Sequence, residues 1–415
     1  MKVQLKLALV PMILASVLAA CGPQSGSDTK SEISGQSKRL PNGLGQGFES
    51  DTQLLKTNCV TGDVQFAGGA QADVTYTQDV SFEDVLDSVS GGLNAGAKFS
   101  IFDVKGAADF ASKQSSDEFS ATVTLTSDAS VKSAVMKNMR LTDLGKAMFE
   151  DGVVTDKVRK NCGDEFVSQI NYSAKLFVNA KFSFATKEDK KNFKGSATLS
   201  LLNLGEIGGQ IEKMDENIRK TAKVSITARQ IGGNPEELSQ ILTDNVFTCS
   251  MAEFESKCLP MLQAVVQYAR ETFPKSLAND PIPDSSKGWA EVMYKTDKYS
   301  DFPLLLDGEV VTLVSENDAS IITPEIEEAR DTVYESYTSE MKNYDRAVGL
   351  LKDFTMGEEP KAKITIIKIA AAANKSSLAA VGEACIRTPL KCVEKLDAYK
   401  ATRKAYSVDA LGGPF

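Results

Sequence analysis

The chain has 415 residues, 42% of them hydrophobic, enough for two or three domains with a sizeable core. It carries 47 Lys and Arg against 56 Asp and Glu, a net charge of −9, and no histidine. The missing imidazole excludes Ser-His-Asp and Cys-His nucleophiles and His-ligated metals, and the acidic balance argues against nucleic acid as a partner.

Lys2 and Lys6 precede an apolar run from Leu7 to Ala20 that stops at Cys21. At about 14 residues this run is too short to span a bilayer and suits a signal peptide over residues 1–20. Leu18-Ala19-Ala20-Cys21 resembles the lipobox of bacterial lipoproteins, in which cleavage leaves the cysteine lipidated. The resemblance implies an exported protein, lipid-anchored at Cys21 without spanning the membrane. Gly22 stands where an aspartate would resemble an inner-membrane retention signal, so the outer membrane or cell surface is expected. Residues 21–52, rich in Gly, Ser and Pro, read as a flexible tether. Within them Gly43-Leu44-Gly45-Gln46-Gly47 has no Gly-Lys-Ser/Thr after it and reads as linker, not as a nucleotide loop.

Period-two alternation then predicts four strands. Ala72, Val74, Tyr76 and Val80 alternate with Asp73, Thr75, Thr77 and Asp79. A second strand runs from Phe119 to Val131, with Ala121, Val123 and Leu125 on one face and Thr122, Thr124 and Thr126 on the other. The third, from Phe166 to Phe184, is unusually long, with apolar even positions and a wet odd face that includes Lys175, Asn179 and Lys181. The fourth carries Ala222, Val224, Ile226 and Ala228.

The first and second strands are joined by residues 81–116 and the third and fourth by residues 186–220, inserts of nearly equal length and far longer than hairpin loops. Both can be read in two ways. As helices, Ser81 with Asp84 caps a segment carrying Phe82, Val85, Leu86 and Val89 that Gly91-Gly92 stops, and Leu199, Leu202, Ile207, Ile211, Met214 and Ile218 recur at three to five residues. As strands, Leu93, Ala95, Ala97, Phe99 and Ile101 alternate with polar residues, and Ala197, Leu199, Leu201, Ile207 and Ile211 share parity with Gly205 and Gly209. A segment able to pack as helix in water and as hairpin in a bilayer suits a pore former, and half an insert exceeds the roughly 9–11 residues of a tilted barrel strand. Ordinary helical crossovers in an α+β domain are the alternative.

A helix predicted from Thr142 to Lys160 leads into Asn161-Cys162-Gly163-Asp164-Glu165-Phe166-Val167 at the head of the third strand. This passage resembles the signature of the membrane attack complex/perforin family, aromatic-Gly-Thr/Ser-His-aromatic followed by a strand. Gly163 and Phe166 match it, while Cys162, Asp164 and Glu165 depart from it and remove its histidine. Gly232-Gly233, directly after the fourth strand, resembles the family's paired glycines and reads as a hinge or as a routine turn at a strand end. The resemblance covers roughly residues 60–300. It implies an α+β fold with a bent, twisted four-stranded antiparallel sheet and two flanking helical clusters, which in pore-forming members unfurl into β-hairpins after the subunits assemble. The alternating wet face would then line the lumen and the other would meet lipid.

Cys59, Cys162, Cys249, Cys258, Cys385 and Cys392 form an even set, expected as three disulfides in an exported chain. Cys249 with Cys258 and Cys385 with Cys392 close local loops and leave Cys59 with Cys162, one of 15 connectivities. No Cys-x-x-Cys occurs, and no metal or cofactor is expected.

Residues 251–273 and 388–405 look helical, and Thr323-Pro324 opens a long helix striped by Ile326, Ala329, Val333, Tyr337, Met341, Tyr344, Val348 and Leu351, expected to pack on its own chain. Trp289, among Pro274, Pro281, Pro283 and Pro303, reads as a buried anchor. Glu327-Glu328 and Asp215-Glu216 read as solvated faces, and no general acid/base pair stands out. The division expected is a signal (1–20), a tether (21–52), a perforin-like domain (53–300) and a mainly helical region (301–415). The function expected is a non-enzymatic, lipid-anchored protein that oligomerises on a lipid membrane and forms a β-barrel pore. The alternatives are a non-lytic adhesin or envelope scaffold with the same fold, and a periplasmic hydrolase using carboxylates or a Ser-Lys pair.

Overall fold

The computed structural model describes residues 43–68, 71–89, 105–149, 152–196, 204–243, 246–276, 289–301, 303–306, 309–311, 313–315 and 320–413. Cys21, Gly91-Gly92, the alternating residues Leu93 to Ile101, and Ala197, Leu199, Leu201 and Leu202 lie outside them.

In chain order the first elements are β1 (Gln46–Glu49), β2 (Leu54–Asn58), β3 (Val60–Ala67) and β4 (Gln71–Gln78). The first insert supplies α1 (Phe82–Val89) and α2 (Lys105–Gln114), and β5 (Ser120–Leu141) follows. Then come α3 (Asp143–Met148), β6 (Val153–Val154), α4 (Asp156–Cys162) and β7 (Glu165–Ser183). The second insert supplies α5 (Lys187–Ser196), α6 (Leu204–Glu212) and α7 (Glu216–Thr221) before β8 (Lys223–Ile231). After α8 (Pro235–Ile241) and β9 (Val246–Ser250), a helical stretch holds α9 (Leu259–Gln267) and α10 (Phe273–Ser276). The chain ends with β10 (Ala290–Lys298), β11 (Leu304–Leu306), β12 (Glu309–Val311), β13 (Val314–Ser315), α11 (Pro324–Asp353), α12 (Glu358–Arg387) and α13 (Cys392–Thr402).

The sheet is built on the antiparallel pair β5 and β7, of 22 and 19 residues. β5 is longer than the alternation indicated because its register with β7 shifts between Ser130 and Ser133, where the sequence pattern breaks while the strand continues. At the same level both outer strands change. β3 pairs with β5 below and β4 above, while β10 pairs with β7 below, ending at Ala290↔Ser173, and β8 pairs above, beginning at Lys175↔Ile231. A joint therefore crosses the sheet at this level, which the expected bend would require. The expected count of four strands is corrected: β1, β2, β9, β11 and β12 join the four central strand positions at the edges, and among the described residues the sheet has eleven strands.

Two expectations about local structure are corrected. The helix from Thr142 to Lys160 is two helices, α3 capped by the Thr142 hydroxyl and α4 capped by that of Thr155, separated at Gly152 in the left-handed region (φ 69°). The tether does not reach residue 52. Leu44 and Phe48 are buried, Gly45 N donates to the Val167 carbonyl at 2.8 Å, and β1 pairs with β2 and β7. Two apolar anchors and these backbone partners outweigh the linker-like glycines around them.

The apolar, even face of β7 lies in the main core with Phe193, Ile207 and Ile211 of the second insert and Phe254 and Leu262 behind them. The opposite face is the larger correction: it was expected wet, yet Ser173, Asn179 and Lys181 are buried. A second apolar cluster explains this. Val85, Leu86 and Val89 of α1 and Ala107, Ala108 and Ala111 of α2 pack with Ile326, Val333, Tyr337 and Met341 of α11 and Leu378 and Val381 of α12, with Phe177 beneath them. The two inserts thus lie on opposite faces of the sheet. Residues 320–413 belong to the same compact unit as the sheet rather than standing apart as a separate helical region. Trp289 is 2% exposed, in the main core at the start of β10.

Candidate functional site

The two strand pairs that carry inserts keep an unbroken ladder up to the points of departure. β4 pairs with β5 from Gln71↔Ser130 to Gln78↔Val123, and β7 with β8 from Lys175↔Ile231 to Ser183↔Lys223. Between them β5 and β7 pair from Ser130↔Ser173 to Ser120↔Ser183. One step further, Phe184 N–H still donates to the Phe119 carbonyl at 2.8 Å, but the reciprocal bond is replaced. Phe119 N–H donates to Asp117 Oδ1 at 2.7 Å, and the Phe184 carbonyl accepts from Arg346 Nη1 of α11 at 2.9 Å.

Around this ladder end the buried odd face is satisfied group by group, as burial of polar atoms demands. Asn179 accepts from Thr124 Oγ1 at 2.9 Å and donates to the Gln114 carbonyl at 2.9 Å. Lys181 Nζ donates to the carbonyls of Lys113 (2.9 Å) and Ser115 (2.7 Å) at the end of the first insert. Burial lowers the Lys181 pKa, against the pull of Asp117. Burial would raise Asp117, but Lys181 and the Phe119 and Ser120 donors bring it below the usual carboxylate range. Arg346 is lowered by burial to about 10, against Asp117. It lies over the Phe119 ring at 4.0 Å and also reaches the Ala185 and Leu411 carbonyls at 2.7 and 3.2 Å. The adjacent Asp345 accepts from Ser112 Oγ of α2 at 2.5 Å. Nothing local in the sequence marks Lys181, Asp345 or Arg346, since each sits in an ordinary polar phase of its strand or helix.

The residues that resemble the perforin signature occupy a different corner, at the foot of β7. Gly163 has φ 76° and ψ −174°, and a Cβ there would stand 2.0 Å from the Phe48 carbonyl oxygen. Only glycine lets β1 approach so closely. Asp164 accepts from Ser50 N (2.8 Å) and Ser50 Oγ (2.5 Å), and Phe166 packs on Tyr299, whose hydroxyl donates to the Cys162 carbonyl at 2.9 Å. Arg159 Nη2 gathers Glu49 (2.7 Å), Asp51 (3.0 Å) and Asp164 (3.4 Å), a cluster whose cation is already the arginine. Glu49 is raised by burial and by Asp164, partly offset by Arg159, and Glu165 is raised by burial, offset by its bond to Thr296. Among the described residues no group of three or more acidic or cysteine side chains is arranged to hold a metal.

Cys59–Cys162, Cys249–Cys258 and Cys385–Cys392 are bonded. The first ties the junction of β2 and β3 to the end of α4, and the second ties β9 to the helical stretch behind it. β9 covers the outer edge of β8 from Lys223↔Ser250 to Thr227↔Val246. Gly232 and Gly233, both left-handed (φ 71° and 68°), turn the chain out of β8 into α8, which Asn234 caps.

No family model and no curated protein matches the chain. Among solved structures it is similar to stonustoxin, with 11% identity over 87% of this chain and 43% of that one (TM-score 0.37). It is also similar to a MAC/Perforin-domain protein of Bacteroides thetaiotaomicron (9% identity, 63% and 56%, TM-score 0.26) and to pneumolysin (12% identity, 60% and 43%, TM-score 0.24). The chain spans about half the length of these proteins or less, and the functional argument rests on its own residues. Those residues have the order strand, insert, strand, helix, motif, strand, insert, strand, glycine pair that a perforin-like fold implies.

Proposed function

We propose that this chain is a perforin-like membrane-inserting protein. In this reading its two inserts leave their helices and continue the sheet into a bilayer as two β-hairpins in a ring of identical subunits, without catalysis. The observation that carries this reading is the register. Continued past Gln78↔Val123, the β4–β5 ladder pairs Leu93 with Ala108 and turns at Ser100-Ile101. Continued past Ser183↔Lys223, the β7–β8 ladder pairs Leu199 with Ile207 and turns at Asn203. The separate β5–β7 register sets Ser100 opposite Asn203, so both tips come level.

The same continuation sorts side chains by chemistry. Phe99, Phe102, Leu201 and Gly205 fall in one row on one side, followed by Ala97, Val104, Leu199 and Ile207, and then, after a row of small residues, by Leu93, Ala108, Gly195 and Ile211. The other side receives Lys98 beside Asp103, Asp109 beside Lys194, and Lys194 beside Glu212, opposite charges directly across from one another. Two inserts far apart in sequence give their apolar rows to the same side of the sheet, over the stretches 93–99, 102–108, 195–201 and 205–211, which with the tip residues approach the roughly 9–11 residues of a tilted barrel strand. That side continues the Lys181 face. The lipid-facing and lumen-facing sides are therefore the reverse of those expected from the strands alone. In ordinary helical crossovers this agreement of parity across four strands would have no cause.

Assembly is supported by the sheet edges. Among the described strands β4 pairs with β5 alone, and Asp73, Val74 and Thr75 are exposed along it, while β9, only five residues long, covers β8. A second copy offering β4 in place of β9 would extend the sheet. We place the protein at the outer membrane or cell surface through lipid on Cys21. Labelled fatty acid should enter the wild-type chain and be lost in Cys21→Ser.

Environment-sensitive dyes test the insertion. Cβ positions at Gly195, Gly205 and Gly209 meet no atom within 4 Å, so Gly→Cys labels there leave the folded protein undisturbed. On phosphatidylcholine vesicles with and without phosphatidylglycerol, dyes at these three positions should shift to the blue. Dyes at Glu206 and Gln210 should stay in water, with dye release in parallel. Absence of both alternation and leakage on folded protein refutes the reading, and leaves the non-lytic scaffold.

A further inference from the structure

The helical hairpin of α11 and α12 crosses the Lys181 face and touches both inserts at their roots. We propose that Asp345 and Arg346, neighbours on α11, form one clamp that holds the two inserts together, so that neither enters a membrane until the C-terminal helical hairpin has left the sheet. The inference rests on the membrane-inserting reading above.

Five contacts of this residue pair carry it. Asp345 accepts from Ser112 of α2, in the first insert, at 2.5 Å. Arg346 donates to the carbonyls of Phe184 and Ala185, where the second insert leaves β7, at 2.9 and 2.7 Å. The same guanidinium lies over Phe119, where the first insert rejoins β5, and donates to the Leu411 carbonyl of the C-terminal tail at 3.2 Å. Farther along the hairpin, Lys375 of α12 pairs with Asp109 of α2 at 3.1 Å, and Tyr334 of α11 donates to Glu83 of α1 at 3.2 Å.

The chemistry of the ladder end makes this a lock rather than general packing. Continuing the β5–β7 ladder requires the Phe119 N–H and the Phe184 carbonyl for each other, and these are the two groups that Asp117 and Arg346 occupy. Arg346 therefore terminates the sheet chemically at the row from which both hairpins must grow. An insert that moved while Arg346 stayed would leave a guanidinium and two carbonyls competing with the ladder. Because Asp345 is covalently next to Arg346, withdrawing one withdraws the other, and the two inserts are released in one event.

The test locks one insert and watches the other. In Ser112→Cys/Asp345→Cys a disulfide ties the first insert to α11, and a dye on Gly205→Cys reports the second on the same vesicles. With the lock closed the dye on the second insert should not shift, and mild reductant should restore the shift to that of the Gly205→Cys protein alone under the same reductant. A shift with the lock closed overturns the clamp and leaves the membrane-inserting reading standing. No shift in the locked, reduced or unlocked protein overturns that reading itself, and the clamp with it. A second variant needs no new bond. Arg346→Ala, checked for folding by circular dichroism and intact native disulfides, should release dye at least about tenfold faster, the effect of losing just one of its three charge-assisted hydrogen bonds. Arg346→Lys, which keeps the charge but not the planar fork, should fall between. Unchanged rates in both would also overturn the clamp.

Discussion

Replacing Gly163 by alanine tests whether the family-motif glycine is steric in origin. At this position the backbone has φ 76°, and a Cβ would lie 2.0 Å from the Phe48 oxygen and 2.4 Å from its carbonyl carbon. Both are backbone atoms, and the Phe48 carbonyl is also the acceptor for Asp164 N–H at 3.0 Å. It cannot move without giving up that bond and loosening the pairing of β1 with β7. Strain of about 1–3 kcal/mol from the conformation, with two lost hydrogen bonds at about 1 kcal/mol each, this one and one of the β1–β7 pairing, gives about 3–5 kcal/mol. Gly152 is the matched control, with φ 69° and no atom within 4 Å of its Cβ, so Gly152→Ala should cost only the left-handed term of about 1–2 kcal/mol. Denaturant midpoints at constant m, measured with disulfides intact, read the difference, and a melting curve should show about 6–10 °C lost against about 2–4 °C. If the two alanines cost the same within about 0.5 kcal/mol, the close approach of β1 is not what requires glycine, and the account of the motif corner fails.

Phe193→Ala removes a fully buried ring lying 5.1 and 5.0 Å from Phe182 and Phe184, so the second insert should lose about 3–5 kcal/mol of its hold and dye release should begin at lower temperature. Onset at higher temperature would contradict the packing argument. Removing the Cys59–Cys162 bond, whose loop spans 103 residues, should cost about 4–5 kcal/mol in a denaturant titration, against about 2–3 kcal/mol for Cys385–Cys392 at a separation of 7. Acid should not open the clamp between about pH 8 and 5. Asp117, lowered in the folded protein, contributes stability that is lost only as pH falls through its folded value, below the usual carboxylate range. Asp345, raised by burial against the pull of Ser112, Lys113, Lys375 and Lys181, contributes stability that is present at low pH and lost as pH rises through its folded value. Leakage rates that climb steeply between pH 7 and 5 would refute this.

The four strands were legible because period two over many residues has few other causes, and the cap signal at Thr323-Pro324 stands where a helix begins. The extent of β5 was not legible, since a register shift at Ser130 to Ser133 breaks alternation in the sequence without ending the strand. The wet face was misjudged for a different reason. Polarity along a strand records which groups need partners, and those of Lys181, with one of those of Asn179, are backbone carbonyls of the first insert, which carry no side-chain signature. Asp345 and Arg346 were silent for the same reason, as Arg346 works mainly on backbone oxygens contributed by residues far away in the chain. Gly163 was the opposite case, because a close backbone approach admits one residue type and so leaves a mark that can be read.

Trp289 is the one tryptophan of the chain, and it lies at the level where β8 has left β7 and β10 takes over. An indole at 2% exposure emits as a group in an apolar solvent, and no second indole contributes to the signal. The protein therefore carries a single optical reporter at the joint of its sheet. Any flattening of that joint that admits water to Trp289 will appear as a red shift of the intrinsic emission, while a shape change confined to the inserts will leave it unmoved. The order of these two events can be timed on the unmodified chain.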